Sequence, residues 1–271
     1  DSEKYEWELP KGFDRIKTRV NSLAGERRKQ VTEEQVFTLD ELVLLNKYAT
    51  PLERFFILLA LNCGFGRGEL ATLRVGEVHL REAHEERLQR VLGYVTSPKD
   101  SFIRRCRPKN GVLGVFLLFR QSTEAIEWAL RRRKRQPRFG PESRLLLNAR
   151  GEAYDKLTKN GNANQQIPNR FAALLRRVRR SNNQIRSLSF NKLRKTAGDL
   201  VRQFSDGETA ATFLMHGQPF EQDDLLDLYS RRPFGKVFQA IREVEKYLEP
   251  MFLAAGATPF GDHRRRAVAG E

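Results

Sequence analysis

The stretch from Thr50 to Gly68 constrains this chain more than any other. Thr50-Pro51-Leu52-Glu53 is a capping box with proline at the first helical position, and Phe55 to Leu61 after it is almost wholly apolar. A helix that is apolar on most of its sides cannot lie on a surface, so other elements must be arranged around it. Gly64, Gly66 and Gly68 break it at its C-terminal end. Just upstream, Thr38-Leu39-Asp40-Glu41 is another capping box, opening a helix through Leu42, Leu44, Leu45 and Tyr48.

What surrounds that helix is basic. Lys and Arg number 49 against 34 Asp and Glu in 271 residues, a net charge of +15. Hydrophobic residues make up 39%, with 18 Phe among them, which is enough for a packed core and excludes a disordered polycation. No apolar run approaches the ~18 residues of a membrane span, and Asp1 to Pro10 lacks the layout of a signal peptide. Cys63 and Cys106 make neither a disulfide framework nor a zinc site and fit a reducing, cytoplasmic compartment. A folded basic chain of this kind reads first as a nucleic-acid binder. On charge alone, ribosomal and membrane-surface proteins stay open.

Along the chain, residues 1–35 are polar and weakly periodic and end in Glu26-Arg27-Arg28-Lys29-Gln30. With no methionine at Asp1, they read as a linker or the remnant of a preceding DNA-binding module. Residues 36–250 read as one domain, and 251–271 as a basic tail closing on Arg264-Arg265-Arg266. Within the domain, Val75, Val78 and Leu80 predict a short strand, and Val91 to Thr96 a second. Phe102 to Phe119 predicts a hairpin reversing at Asn110-Gly111, with Pro108 marking its first strand as an edge or a bulge. Helices follow: one capped by Ser122, one carrying Phe171, Leu174, Leu175 and Val178, one from Ser189 to Phe204, one after Ser205-Asp206-Gly207-Glu208, and one from Pro233 to Leu248. The predicted class is α+β, mainly helical, with a small antiparallel sheet at one edge.

Basic runs at 104–109, 131–135, 176–180 and 231–232 all fall on these folded segments. A single run is ordinarily a solvated face; several together read as phosphate contacts with a steep salt dependence.

Four stretches in this order resemble the catalytic domain of the tyrosine recombinases, the phage integrase family. They are Leu58-Leu-Ala-Leu-Asn-Cys-Gly-Phe-Gly-Arg-Gly-Glu-Leu-Ala-Thr-Leu-Arg74, Pro108-Lys-Asn-Gly-Val112, Asn191-Lys-Leu-Arg-Lys-Thr196 and Leu214-Met-His-Gly217. The resemblance runs from about Phe37 to Leu248. It implies that a tyrosine attacks a DNA phosphodiester to form a 3′-phosphotyrosine, without metal or nucleotide cofactor, on double-stranded DNA held by a dimer or tetramer. Fixed guanidiniums suit the extra charge of such a transition state.

Carried over residue by residue, Arg194 is the family's second arginine, Lys109 the hairpin lysine that protonates the leaving oxygen, and His216 a hydrogen-bond donor to the phosphate. Tyr229 is the nucleophile, lying further beyond His216 than the family spacing, with Ser230-Arg231-Arg232 behind it. Tyr247 sits too far along, on an apolar helix face. Arg104, Arg105, Arg107, Lys192, Lys195, Arg231 and Arg232 are the expected DNA contacts. Each has a plainer reading: a surface salt bridge for Arg194, an exposed turn residue for Lys109, a helix C-cap for His216, a packing tyrosine for Tyr229.

Two positions depart from the family pattern. Its first arginine falls on Gly66, with Arg67 one place displaced, and its histidine or lysine before the second arginine falls on Asn191. Asparagine donates a hydrogen bond but carries no proton through a cycle. Lys195 lies where many members have histidine. Losing one transition-state donor costs on the order of 10²–10³ in rate. The expected function is therefore a site-specific recombinase or integrase. The alternatives are a catalytically impaired integrase-like DNA-binding protein and a basic RNA-binding protein. Asp223, Asp224 and Asp227 fall within one short segment and read as a solvated face rather than a two-metal site.

Overall fold

A computed structural model describes residues 35–157, 161–217 and 232–261. The chain divides between Gln35 and Val36, and the elements below belong to the second unit. The sequence expectations for residues 1–34, Asp223, Asp224, Asp227, Tyr229, Arg231 and the final arginines lie outside the described residues.

Both capping boxes form. Helix α1 (Leu39–Tyr48) is opened by Thr38 and α2 (Pro51–Asn62) by Thr50, each threonine accepting from the glutamate N–H three residues on while that carboxylate caps in return. Every residue of α2 from Glu53 to Asn62 is buried. Even Arg54, 3% exposed, is inside, donating to Asn46 Oδ1 and to the carbonyls of Asn46, Ala49 and Pro259. Gly64 at φ +59° turns the chain out of α2 into the short α3 (Arg67–Thr72).

A 3₁₀ turn (Val75–Glu77) leads into β1 (Val78–His79), and a three-stranded antiparallel sheet follows in the order β1-β2-β3. Strands β2 (Phe102–Cys106) and β3 (Leu113–Leu117) pair Phe102 with Leu117 and Arg105 with Gly114. Two expectations need correction here. The predicted strand at 91–96 is not one: Glu86–Leu92 forms helix α4, with Leu88, Val91 and Leu92 at helical spacing and Gly93 closing it at φ +60°. Nor is β2 an edge strand. It is central, and it ends at Cys106, so Pro108 falls in the turn where no ladder N–H is needed.

The rest is helical: α5 (Arg120–Lys134), α6 (Gln166–Ser181), α7 (Asn191–Phe204), α8 (Gly207–Phe213), α9 (Phe234–Tyr247) and α10 (Glu249–Leu253). Ser122 does not cap α5. The helix starts two residues earlier, its Arg120 N–H donating to the Glu245 carboxylate at 2.5 Å, and Ser122 is buried inside it. Asp206 rather than Ser205 caps α8, accepting from Thr209 N–H at 2.7 Å. Helices α3, α5, α6 and α7 pack against α2, and α9 against α7, α8 and β3. Pro250 does not end the packed region, since Met251, Phe252 and Phe260 are buried in the same core. Among the described residues no helix is long and apolar enough to cross a membrane.

His84 is a titratable group in this core, 5% exposed and stacked on Phe102 at 4.1 Å. Burial, then the charges of Arg104 and His79, push it down to about 4, with Glu82 and Asp100 opposing. Between that value and the ordinary 6.5 the unfolded chain binds a proton that the folded chain refuses. Stability is therefore full above pH 6.5 and is expected to fall by up to about 3 kcal/mol as pH drops toward 4. Chemical denaturation at stepped pH checks this, and His84→Phe should flatten most of the slope.

Candidate phosphate-binding cleft

Three segments distant in sequence build one cleft. The glycine turn and α3 supply Gly66, Arg67, Gly68 and Glu69; the β2–β3 turn supplies Arg107 and Lys109; the start of α7 supplies Ser189, Asn191 and Arg194, with Gln165 and Pro168 closing one side. The cleft measures about 730 Å³. Four cationic side chains (Arg67, Arg107, Lys109 and Arg194) line it against the single carboxylate of Glu69, so its field favours an anion.

Arg194 is half-buried, and one face of its fork is already occupied. Nη1 donates to the Gly64 carbonyl and Nη2 to the Leu214 carbonyl. It thereby ties the glycine turn to the turn that carries His216. Burial lowers its affinity for its proton, Glu69 raises it and Arg107 lowers it again. This is not the surface salt bridge of the plainer reading.

Glu69 organises the other wall. One carboxylate oxygen accepts from Gly66 N–H at 3.1 Å, and the other accepts from Arg107 Nε at 2.8 Å. Burial alone would raise its pKa, but the Arg107 hydrogen bond and the charges of Arg194 and Arg107 hold it below the ordinary carboxylate value. Residue 66 has little room for a side chain, because a Cβ there would stand 3.0 Å from Glu69 Oε2.

The hairpin tip is clipped onto the His216 turn. Asn110 Nδ2 donates to the carbonyls of Met215, at 3.3 Å, and Gly217, at 3.4 Å. Met215 and Gly217 have φ of +52° and +104°, so the residues either side of His216 are both left-handed. His216 itself is exposed, and burial of its ring together with the charges of Arg194 and Arg107 lowers its pKa. It is therefore more fully neutral at pH 7 than an ordinary histidine.

The expected residues differ in exposure, and Arg104, Arg105, Lys192, Lys195 and Arg232 are not among those lining the cleft. Lys109, Asn191 and Lys195 are exposed; Arg67, Arg104, Arg107, Lys192 and Arg232 are half-buried. Arg232 Nη2 lies near Gly217, 3.9 Å from where a Cβ would stand. Arg105 is not on the surface. It is 4% exposed, donates to the Glu69 carbonyl at 2.6 Å and to Thr72 Oγ1 at 3.0 Å, and lies over the Phe65 ring, so it braces α3 from behind. Tyr247 is exposed at the end of α9 and packs on Phe204 with ring centroids 5.9 Å apart.

Sequence reasoning missed Glu69 as the organiser and placed Arg107 only among general DNA contacts. A signal for Arg107 existed. It stands two residues before Lys109, beside the hairpin reversal at Asn110-Gly111 that the sequence already marks.

Comparison with known proteins adds a likeness to solved structures. No family model and no curated protein matches the chain. Among solved structures, XerA recombinase superposes with a TM-score of 0.48 at 15% identity, over 79% of this chain and 64% of that one. The chain thus spans less than two thirds of the XerA chain that it matches.

Proposed function

We propose that this chain is an integrase-like DNA-binding protein that seats one backbone phosphate of duplex DNA in the cleft and is impaired in cutting it. The observation that carries the reading is the convergence of Arg67, Arg107, Lys109 and Arg194 from three segments on one cleft. Exposed basic residues of α5 and α6, among them Arg131, Lys134, Arg176, Arg179 and Arg180, supply further phosphate contacts, whereas Arg133 is buried and bonded to backbone carbonyls. Impairment follows from Asn191, which stands where the resemblance expects a proton-carrying residue. A basic RNA-binding protein would not need Lys109 and Arg194 in a single cleft.

The second reading is a strand-cutting recombinase with Tyr229 as nucleophile, acting as a multimer on DNA. It is favoured by Lys109 and Arg194 sharing the cleft, with Arg194 bonded to the turn beside His216. Lys109 would protonate the leaving 5′ oxygen while the guanidiniums take the charge on the non-bridging oxygens.

Fluorescence anisotropy with a pool of labelled random duplexes tests the proposal. Log Kd should rise with log salt at about 0.9 per phosphate neutralised, giving a slope of roughly 4 or more. A flat salt response, or tighter binding to single-stranded RNA than to duplex DNA, contradicts it. Nicked duplexes on a denaturing gel separate the two readings. Prompt accumulation of a covalent adduct that Tyr229→Phe abolishes supports the recombinase; little or no adduct supports the binder.

A further inference from the structure

We propose that Arg107, delivered by the β2–β3 turn, is the cleft's preorganised phosphate ligand, supplying a guanidinium beside residue 66, where the chain has glycine. The inference rests on the phosphate-holding reading above and names the group that does the holding.

The cationic side chains of the cleft differ in what they have left to give. Arg194 already spends one donor from each Nη group on a backbone carbonyl. Lys109 is exposed at a turn and must give up side-chain entropy to hold any one position. Arg67 makes no hydrogen bond or ion pair among the described residues. Arg107 alone is both fixed and available. Its Nε is held by Glu69 Oε1 at 2.8 Å with the side chain 17% exposed, and its two terminal amino groups have no partner among the described residues. A guanidinium clamped at Nε presents its Nη pair as a fork already aimed, the arrangement that suits two oxygens of one phosphate.

The clamp also reaches the glycine turn. Glu69 reaches Arg107 with one oxygen while the other caps Gly66 N–H, and a Cβ at residue 66 would press on that second oxygen at 3.0 Å. A side chain at residue 66 would therefore have to displace the Glu69 carboxylate by a few tenths of an ångström, disturbing the group that holds Arg107. The charge of Arg107 also acts on Arg194 in the cleft and on His216, which does not line it.

The test uses the whole chain, with inorganic phosphate as the probe and arginine Nε–H resonances as the readout. Saturable shifts at Arg107 are expected in the unaltered protein. Arg107→Ala should weaken phosphate binding about tenfold or more with the melting temperature held within a few degrees, and Arg107→Lys should recover part of the loss. Arg90→Ala, an exposed arginine on α4, should change nothing. Phosphate binding within twofold of the unaltered chain in a folded Arg107→Ala variant overturns the proposal, as does the absence of any saturable shift. Duplex binding is measured on the same samples. Steep salt-dependent DNA binding with Arg107 silent to phosphate defeats this inference alone. Phosphate captured through Arg107 by a chain that ignores duplex DNA defeats the DNA reading alone.

Discussion

Arg194→Ala is expected to unfold the chain about 6–12 °C earlier and to lose most of the cleft's anion affinity with it. Two charged-donor hydrogen bonds disappear, and the carbonyls of Gly64 and Leu214 lose the partners that hold them. Each such loss costs about 1–3 kcal/mol, so roughly 3 kcal/mol in sum is reasonable, and each kcal/mol is worth about 2–4 °C in a domain of this size. The functional loss is larger than one missing charge. Arg194 is the tie between the glycine turn and the His216 turn, so its removal frees the glycine turn that forms one wall of the cleft. Arg194→Lys should not rescue it, because one ammonium on a flexible stem cannot serve two carbonyls in fixed directions. Thermal unfolding followed by circular dichroism checks the stability, and phosphate titration checks the site. A melting temperature within 2 °C of the unaltered chain would show that the two carbonyl bonds carry little.

Gly235→Ala is expected to be the more damaging change, although alanine is the better helix former by about 1 kcal/mol. Gly235 lies in the first turn of α9, and a Cβ there would stand 1.8 Å from the Leu92 carbonyl oxygen and 2.9 Å from its carbon. Backbone cannot swing aside as a flexible side-chain tip can. Either α9 lifts from the C-terminal end of α4, or the α4–Gly93 turn is rebuilt, at a cost of about 3 kcal/mol or more. Because α9 packs on α7, α8 and β3, the displacement reaches the helix that holds Arg194. Gly68→Ala is the matched comparison: its Cβ meets nothing within 4 Å, and it should stabilise α3 by about 0.5–1 kcal/mol. Urea denaturation of the pair gives the two signs directly. If Gly235→Ala matched or exceeded the parent in stability, the close approach of α9 to Leu92 would be wrong.

The two capping boxes and the apolar run of α2 were legible because each is decided locally, by side chains within four residues of the backbone groups they satisfy. The faces of α6 and α7 were legible for the same kind of reason. Where tertiary partners replace local ones, the reading slipped. Ser122 looks like a cap, yet α5 is capped from a distance by Glu245. Val91 to Thr96 has a β-rich composition, yet Leu88, Val91 and Leu92 already keep helical spacing and Gly93 ends a helix. Arg105 and Arg107 are chemically identical and two residues apart. Register sends the first inward beneath α3, and the turn sends the second into the cleft, and only the pairing of β2 with β3 decides between them. The site was therefore partly legible. Lys109, Arg67, Asn191 and Arg194 line one cleft, but the Glu69–Arg107 clamp depends on packing that no spacing rule encodes.

The most direct measurement of the central claim is a titration of the whole chain with duplex DNA, read at the side-chain Nε–H resonances of its arginines. A phosphate seated in the cleft predicts that Arg107 and Arg194 shift together and saturate at the anisotropy Kd, and that added salt reverses both. Shifts confined to the arginines of α5 and α6, with Arg107 and Arg194 unmoved at saturating DNA, would contradict the account.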